Sequence, residues 1–472
     1  VTATGSWARY QLRLEPEFED VFVAAGPDLR GSSLAAATLW LDGVQLERAR
    51  DASAWAPREA VELGFESGRF GNVFAAGEPA RVLVSAHASA AGRVRVEGDV
   101  EDFFGNRLPQ PPLDLALAPA GTATAAWTLA LPGTGCFMLK ARWRAGGVAR
   151  ERRLRLAVIT PYRGADSPFG FNHAPVTAEL CGALRAAGVV WARDWSLKWQ
   201  DIEPRPGAFT FARSDPQIDR LAESGMRAIC LLPPFPSANW SSEGPASATT
   251  EGYPGVRARM AYAPRDPALL ARFIRTTAKH YAGRVRTWEF LNEPLFTDYA
   301  LPAEGHGIPG PGYTAADYVK LLRVASESLK AEDPGCVLVG GIAGGPDTFT
   351  REFLAADGLR WVDALNLHIY PGRRTPESFS APLAEMRALM ARHGGPKPIW
   401  ITEYAYYGID ELPWTPHLAG GDWAGSRLLR DERQAAEYAV RLAVLMLAQG
   451  AEKLFYHSGA SGAVNDPGLE NP

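Results

Sequence analysis

Two glutamates stand in settings that suit chemistry better than structure. Glu293 lies in "WEFLNEPLF", where a short apolar run ends in Asn-Glu-Pro. Asn and Glu are poor strand formers, and Pro stops a sheet ladder. Glu403 lies in "PIWITEYAY", at the end of a second apolar run. Two carboxylates facing each other across a cleft can cleave a glycosidic bond. One gives a proton to the leaving oxygen; the other attacks the anomeric carbon or activates water. The two roles require opposite protonation states, which environment must set. An ordinary loop would account for Asn-Glu-Pro alone. The pair asks for a scaffold that brings distant segments together.

That scaffold is legible from about residue 161. Short apolar runs alternate there with amphipathic helices: "FGFNHA", "VVWARDW", "RAICLLPPF", "VRTWEFLNE", "CVLVGGIAG", "VDALNLHIY", "PIWITEYAY" and "EKLFYHSG". Between the first two, Leu180, Cys181, Leu184 and Ala187 share a helix face, with Thr177 able to cap its start and Gly188 its end. Tyr438, Leu442, Leu445 and Met446 form a stripe after the seventh run. Eight such units fit a (β/α)8 TIM barrel, whose strands are buried on both faces and read as apolar runs. Glu293 and Glu403 sit three units apart at about 37 residues each, near the roughly 31 per unit of a 250-residue barrel.

Barrel active sites gather at the carboxyl ends of the strands. Each run here starts apolar and turns polar at that end. Strand one ends with Asn172 and His173, strand two carries Arg193 and Asp194, and strand four delivers Asn292 and Glu293. Strand six ends with His368 and Tyr370, strand seven with Glu403, and strand eight with Tyr456 and His457. Asn292 can hydrogen-bond a sugar hydroxyl, while Arg193 and Tyr370 can hold Glu403 ionised and oriented. Arg193 could instead be merely a buried ion-pair partner of Asp194 or another acid, and His368 could be a satisfied core histidine. The 237–266 segment is a candidate substrate loop. Trp240, Tyr253, Tyr406, Tyr407, Trp414 and Trp423 could stack on sugar faces or simply pack.

Residues 1–160 have a different texture. Alternation in "ARYQLRL", "ATLWLDGVQLE", "ARVLVSAHA", "RVRVEGDVE" and "RRLRLAVIT" is broken by turn-forming residues. The fold class is therefore multidomain, a barrel preceded by all-β sandwich material. "TLWLDGVQLER" resembles the closing strand of galactose-binding-like jelly rolls, which implies that residues 1–55 are the tail of such a module. Residues 56–160 then form an immunoglobulin-like sandwich, and residues 161–472 the barrel. One irregular sandwich over 1–160 is the alternative.

Composition excludes several classes. The net charge is -4 and no basic stripe marks a nucleic-acid partner. The most apolar run, "AVRLAVLMLAQGA", is short for a membrane span and carries Arg441. Four scattered cysteines have no metal spacing and read as buried free thiols. The chain opens on Val1 in mid-phrase, and after "FYHSG" only "ASGAVNDPGLENP" remains, so the eighth helix is missing from the reading. A piece of a longer, secreted or cell-surface protein is expected.

Asn-Glu-Pro on the fourth strand, "HIY" on the sixth and "ITEY" on the seventh together resemble glycoside hydrolase clan A. The order of elements over 161–460 is most like family 39 and its relatives, which include xylosidases, iduronidases and exopolysaccharide-cleaving endoglycosidases. The resemblance implies an acid/base at Glu293, a nucleophile at Glu403, and a sugar-contacting amide at Asn292. It implies supporting roles for Arg193, His368 and Tyr370, and retention of anomeric configuration. The chemistry itself needs no cofactor or metal, and no His/Cys/Asp cluster in the sequence suggests one. Many clan members carry Trp on strand eight, and "LFYHSG" has none. A carbohydrate partner is expected. A glycan-binding barrel without catalysis and an inverting enzyme are the rivals.

Overall fold

The computed structural model describes residues 6, 8–15, 44–54, 59–119, 121–248, 255–306, 312–409 and 428–457. Eight strands precede residue 160: β1 (Val61–Glu66), β2 (Val73–Ala75), β3 (Ala80–Ala88), β4 (Gly92–Asp102), β5 (Arg107–Leu117), β6 (Gly121–Leu129), β7 (Gly135–Ala145) and β8 (Val148–Ile159). They form two sheets, β1-β3-β6 and β2-β8-β7-β4-β5. Val82, Val84 and Ala86 are buried and alternate with exposed or half-buried residues along β3, and they meet Val96, Trp127 and Leu139 in one core. Gly98 lies under the Trp127 ring, where an added Cβ would come within 2.6 Å of it. β5 is a sheet edge and contains Pro109, Pro111 and Pro112, which edge positions tolerate. The Pro111 carbonyl accepts from the Trp127 indole at 2.7 Å.

Alternation alone did not suffice at the start of the chain. "ARYQLRL" forms no strand, and Tyr10 and Leu12 are exposed. A strand needs a ladder partner, and none is present for it among the described residues. The jelly-roll reading of 1–55 lies for the most part outside the described residues, as does the chain after residue 457, where an eighth helix would come. Tyr253, Trp414 and Trp423 also lie outside them.

From residue 169 the chain builds β9 (Phe169–Asn172), α1 (Ala178–Ala186), β10 (Trp191–Asp194), α2 (Trp199–Ile202), α3 (Asp215–Glu223) and β11 (Arg227–Leu231). Next come α4 (Gly255–Met260), α5 (Pro267–His280), β12 (Thr287–Glu289), α6 (Ala315–Glu332), β13 (Val337–Ala343) and α7 (Thr348–Ala355). β14 (Ala364–Ile369), α8 (Ser380–Arg392), β15 (Ile399–Tyr404), α9 (Glu432–Ala448) and β16 (Ala451–His457) complete it. β9 to β16 close into a parallel barrel, β16 pairing back onto β9 with His457 opposite Asn172. All eight apolar runs are barrel strands.

Local chemistry starts the helices where the sequence marks them. The Thr177 side chain accepts from the Leu180 N–H at the head of α1. Thr314 and Asp317 make a reciprocal capping box on α6, and Asp431 caps α9. The lower barrel is plugged by Val190, Trp191, Ile229, Val339, Trp400 and Phe455. Trp191 and Trp400 meet edge-to-face at 5.5 Å. Gly170 leaves room for Phe455; a Cβ there would lie 2.3 Å from the ring.

The sandwich leans on the first turn of α9. Arg155 on β8 pairs with Glu432 at 2.7 Å, and the Arg433 guanidinium lies 5.6 Å from the Phe103 ring. Cys181, Cys230 and Cys336 are buried free thiols, whereas Cys136, on β7, is exposed, contrary to expectation. No described helix is long and apolar enough to cross a membrane.

Candidate active site

β12 is only three residues long and ends at Glu289, so Asn292 and Glu293 stand beyond the strand in the turn that follows. Leu291, Glu293 and Leu295 there have φ of 60°, 44° and 73°. Branched or long side chains rarely adopt that region, and such conformations cluster at functional sites. The kinked turn lifts Glu293 to the mouth. Its side chain is 25% exposed, against 7% for Glu403. The two carboxylates meet at His368: an oxygen of each, together with a ring nitrogen, lies within 4.8 Å of the others.

Register irregularities aim the other groups. Ladder partners shift between Leu367 and His368 on β14 and between Ile401 and Tyr404 on β15. Successive strand residues ordinarily face opposite sides. Such irregularities re-aim side chains beside active sites, and here consecutive Thr402 and Glu403 reach one network.

Arg193 is its hub and is completely buried. Nη1 donates to Glu403 Oε1 at 2.6 Å and to Asn172 Oδ1 at 3.3 Å. Nη2 donates to Asn292 Oδ1 at 2.7 Å. Nε and Nη2 fork onto Glu289 at 2.6 and 3.0 Å. Tyr370 donates its hydroxyl to Glu403 Oε2. Burial works against a charged Glu403, but His368, Arg193, His457 and the Tyr370 hydroxyl outweigh it and hold the carboxyl well below the usual range. His368 Nδ1 lies 2.7 Å from Glu293 Oε1 and Nε2 3.0 Å from Thr402 Oγ1. Burial would favour neutral His368, yet Glu403 and Glu293 raise it above its ordinary value.

The opposite wall is neutral. His173 stacks on Trp195 at 5.1 Å and meets His457 edge-on at 5.4 Å. His457 contacts the Tyr370 ring at 5.6 Å and Tyr407 OH at 2.8 Å. Burial lowers both histidines to about 4. Asn172 accepts from Trp195 Nε1 at 3.1 Å. His457 occupies the end of the eighth strand, where Trp is common in the families the sequence resembles.

Asn172, His173, Arg193, Asn292, Glu293, His368, Tyr370, Glu403 and His457 are thus brought together. Trp240 and Tyr406 are not. Trp240 donates to the Glu203 carbonyl at 2.7 Å and packs edge-on against Trp199. Tyr406 is buried, with its hydroxyl on the Arg374 carbonyl at 2.7 Å and its ring against Tyr438. The Tyr406 ring is thus used in packing, while Trp240 is only half-buried. Arg193 is a buried ion-pair partner of Glu289 and Glu403 rather than of Asp194, which accepts from Ser196. The expectation passed over Glu289, Asn366 and Thr402. An acid inside an apolar strand was the available signal, since a buried charge demands a partner. Glu293, His368 and Glu403 are the one described cluster compact enough to hold a cation, but Arg193 and Tyr370 already engage Glu403.

A closed parallel barrel with acids, an arginine and imidazoles converging at the carboxyl ends of its strands is the architecture of a barrel enzyme. Residues 308–412, which include His368, Tyr370 and Glu403, match the family model described as glycosyl hydrolase catalytic core. The chain is a glycosidase. Among solved structures, a family 39 glycoside hydrolase from the gut symbiont Bacteroides cellulosilyticus WH2 is similar over 87% of this chain and 78% of that one, at 16% identity and a TM-score of 0.58. It shares the fold. A β-galactosidase from the Antarctic haloarchaeon Halorubrum lacusprofundi matches with 17% identity over 61% of this chain and 52% of its own, TM-score 0.43. Bacteroides uniformis β-glucuronidase 2 matches with 11% identity over 84% of this chain and 45% of its own, TM-score 0.36. No curated protein matches the chain.

Proposed function

We propose that the chain is a retaining glycosidase acting on an oligosaccharide or polysaccharide by double displacement. The observation that carries this reading is the closeness of the two carboxylates, with oxygens within 4.8 Å of one another. Retaining enzymes place them about 5–5.5 Å apart, inverting ones about 6.5–9.5 Å to admit a water. Glu403, buried and kept ionised, attacks the anomeric carbon. Arg193 meets it end-on through one N–H and Tyr370 steadies its second oxygen. Glu293, the more exposed acid, protonates the departing oxygen and then takes a proton from the water that releases the sugar. Arg193 fixes the Asn292 amide with its oxygen inward, so the NH2 group faces Tyr299 at 2.6 Å and the mouth. That orientation suits donation to a sugar hydroxyl.

The test compares Glu293→Ala with Glu403→Ala on aryl glycosides of graded leaving-group acidity. Glu403→Ala is expected to slow every substrate. Glu293→Ala is expected to spare the first step for dinitrophenyl glycosides, which need little protonation, and to lose about 10²–10⁴-fold on poor leaving groups. Its glycosyl-enzyme accumulates, giving a burst and a low apparent KM. Equal losses at every leaving group would remove the assignment of Glu293. A wild-type chain that binds glycans and cleaves none would favour a binding protein.

A further inference from the structure

Glu289 is completely buried, yet it is linked to both carboxylates. One path runs through Arg193 to Glu403. The other runs through Thr402 and His368 to Glu293. The second path has a definite hydrogen-bond direction. Glu289 receives the Arg193 fork and the Asn366 Nδ2 donor at 2.8 Å, as a carboxylate that only accepts. The Thr402 hydroxyl, 3.1 Å from Glu289 Oε1, therefore spends its single proton on Glu289. Its oxygen can then only accept from His368, so Nε2 must carry a hydrogen. All of the ring's proton traffic is left to Nδ1, the atom 2.7 Å from Glu293.

We infer that Glu289 and Thr402 are positioning residues that lock His368 in its Nε2–H form, so that Nδ1 and Glu293 share one catalytic proton. This deepens the double-displacement reading and rests on it. At rest the proton bridges Nδ1 and Glu293 Oε1. As the glycosidic bond breaks, its oxygen takes that proton; the imidazole is left neutral with its hydrogen on Nε2, and Glu293 is left as carboxylate. In the second half the attacking water gives a proton back to the pair, and its oxygen bonds the anomeric carbon as the Glu403 ester opens. Protons balance over the cycle, and no other group has to supply one. A histidine free to carry its hydrogen on Nδ1 would instead point a fixed donor at Glu293 and withdraw the acceptor.

Two readouts test this. The first needs no substrate: proton–nitrogen correlation spectra of ¹⁵N-histidine-labelled protein, at alkaline pH where the ring is neutral, report the tautomer directly. The wild type is expected to show His368 as Nε2–H. Thr402→Val, which keeps shape and removes the hydroxyl, is expected to admit the Nδ1–H form. An Nδ1–H ring in the wild type, or an unchanged Nε2–H ring in Thr402→Val, overturns the inference. The second readout is a split in kcat/KM. Thr402→Val is expected to lose about tenfold or more on 4-nitrophenyl glycoside while keeping most activity on the dinitrophenyl analogue, a fraction of the full general-acid effect. Equal losses on both, or none, also overturn it. Thr402→Ser, which restores the hydroxyl, should recover both readouts, separating the hydrogen bond from packing. Failure of the double-displacement reading is recognised separately, because it removes leaving-group dependence from Glu293→Ala as well.

Discussion

At the scale of single residues, the charges at the mouth oppose one another in pH. His368 is raised above its ordinary value of about 6.5 by its two acidic neighbours. Its imidazolium therefore contributes stability that is whole below about pH 6.5 and is lost as pH rises through the higher folded value. Glu403 is depressed, so its contribution is present above the ordinary carboxylate range and disappears only as acid reaches its lowered value. The melting-temperature gap between wild type and His368→Asn should accordingly be widest near pH 6 and narrow toward alkaline pH. A gap that stays constant from about pH 6 to 9 would mean that the imidazolium charge is not what Glu403 and Glu293 hold. The outward-facing members of this cluster were legible because polar residues at the ends of apolar runs have few other reasons to be there. Glu289 and Thr402 were not. Their meaning lies in pairing across segments far apart in the chain, such as Glu289 with Arg193, 96 positions away. Tyr406 shows the converse: an aromatic residue near the mouth in sequence can still be claimed by packing.

Elements were easier to read than their ends. Barrel strands are buried on both faces, so each left an uninterrupted apolar run. The residue at which a strand stops depends on ladder partners no single run reveals. That is why β12 ends at Glu289 and the Asn-Glu-Pro turn hangs free of it. β1, β2, β5, β6 and β7 were not among the alternating runs, and in β5 three prolines disguise a strand at a sheet edge. Closure of the barrel rests on a close approach between β9 and β16. Gly170→Ala would drive a methyl group into the buried Phe455 ring, which is itself packed on Trp400 at 6.3 Å. Overpacking of this kind costs about 1–3 kcal/mol. Denaturant unfolding followed by tryptophan fluorescence should report the loss. An unchanged midpoint would show that β9 and β16 can spread without penalty.

Across the whole molecule, two architectures solve the same problem in different ways. A closed barrel leaves no strand unpaired along its length. The sandwich keeps open flanks, and β5 is the long one. An open flank is an invitation for a foreign strand to add to the sheet, which is how folded proteins begin to aggregate. Pro109, Pro111 and Pro112 remove three amide hydrogens from β5, and the Trp127 indole occupies the Pro111 carbonyl. A visitor would meet a strand short of donors, with one acceptor already occupied. Replacing Pro111 and Pro112 with Thr and Val should leave activity intact and raise light scattering on prolonged incubation at high concentration. Clear solutions after such incubation would assign the prolines to local geometry alone. The three residues that hide β5 from a sequence reader would then be the same three that hide it from other chains.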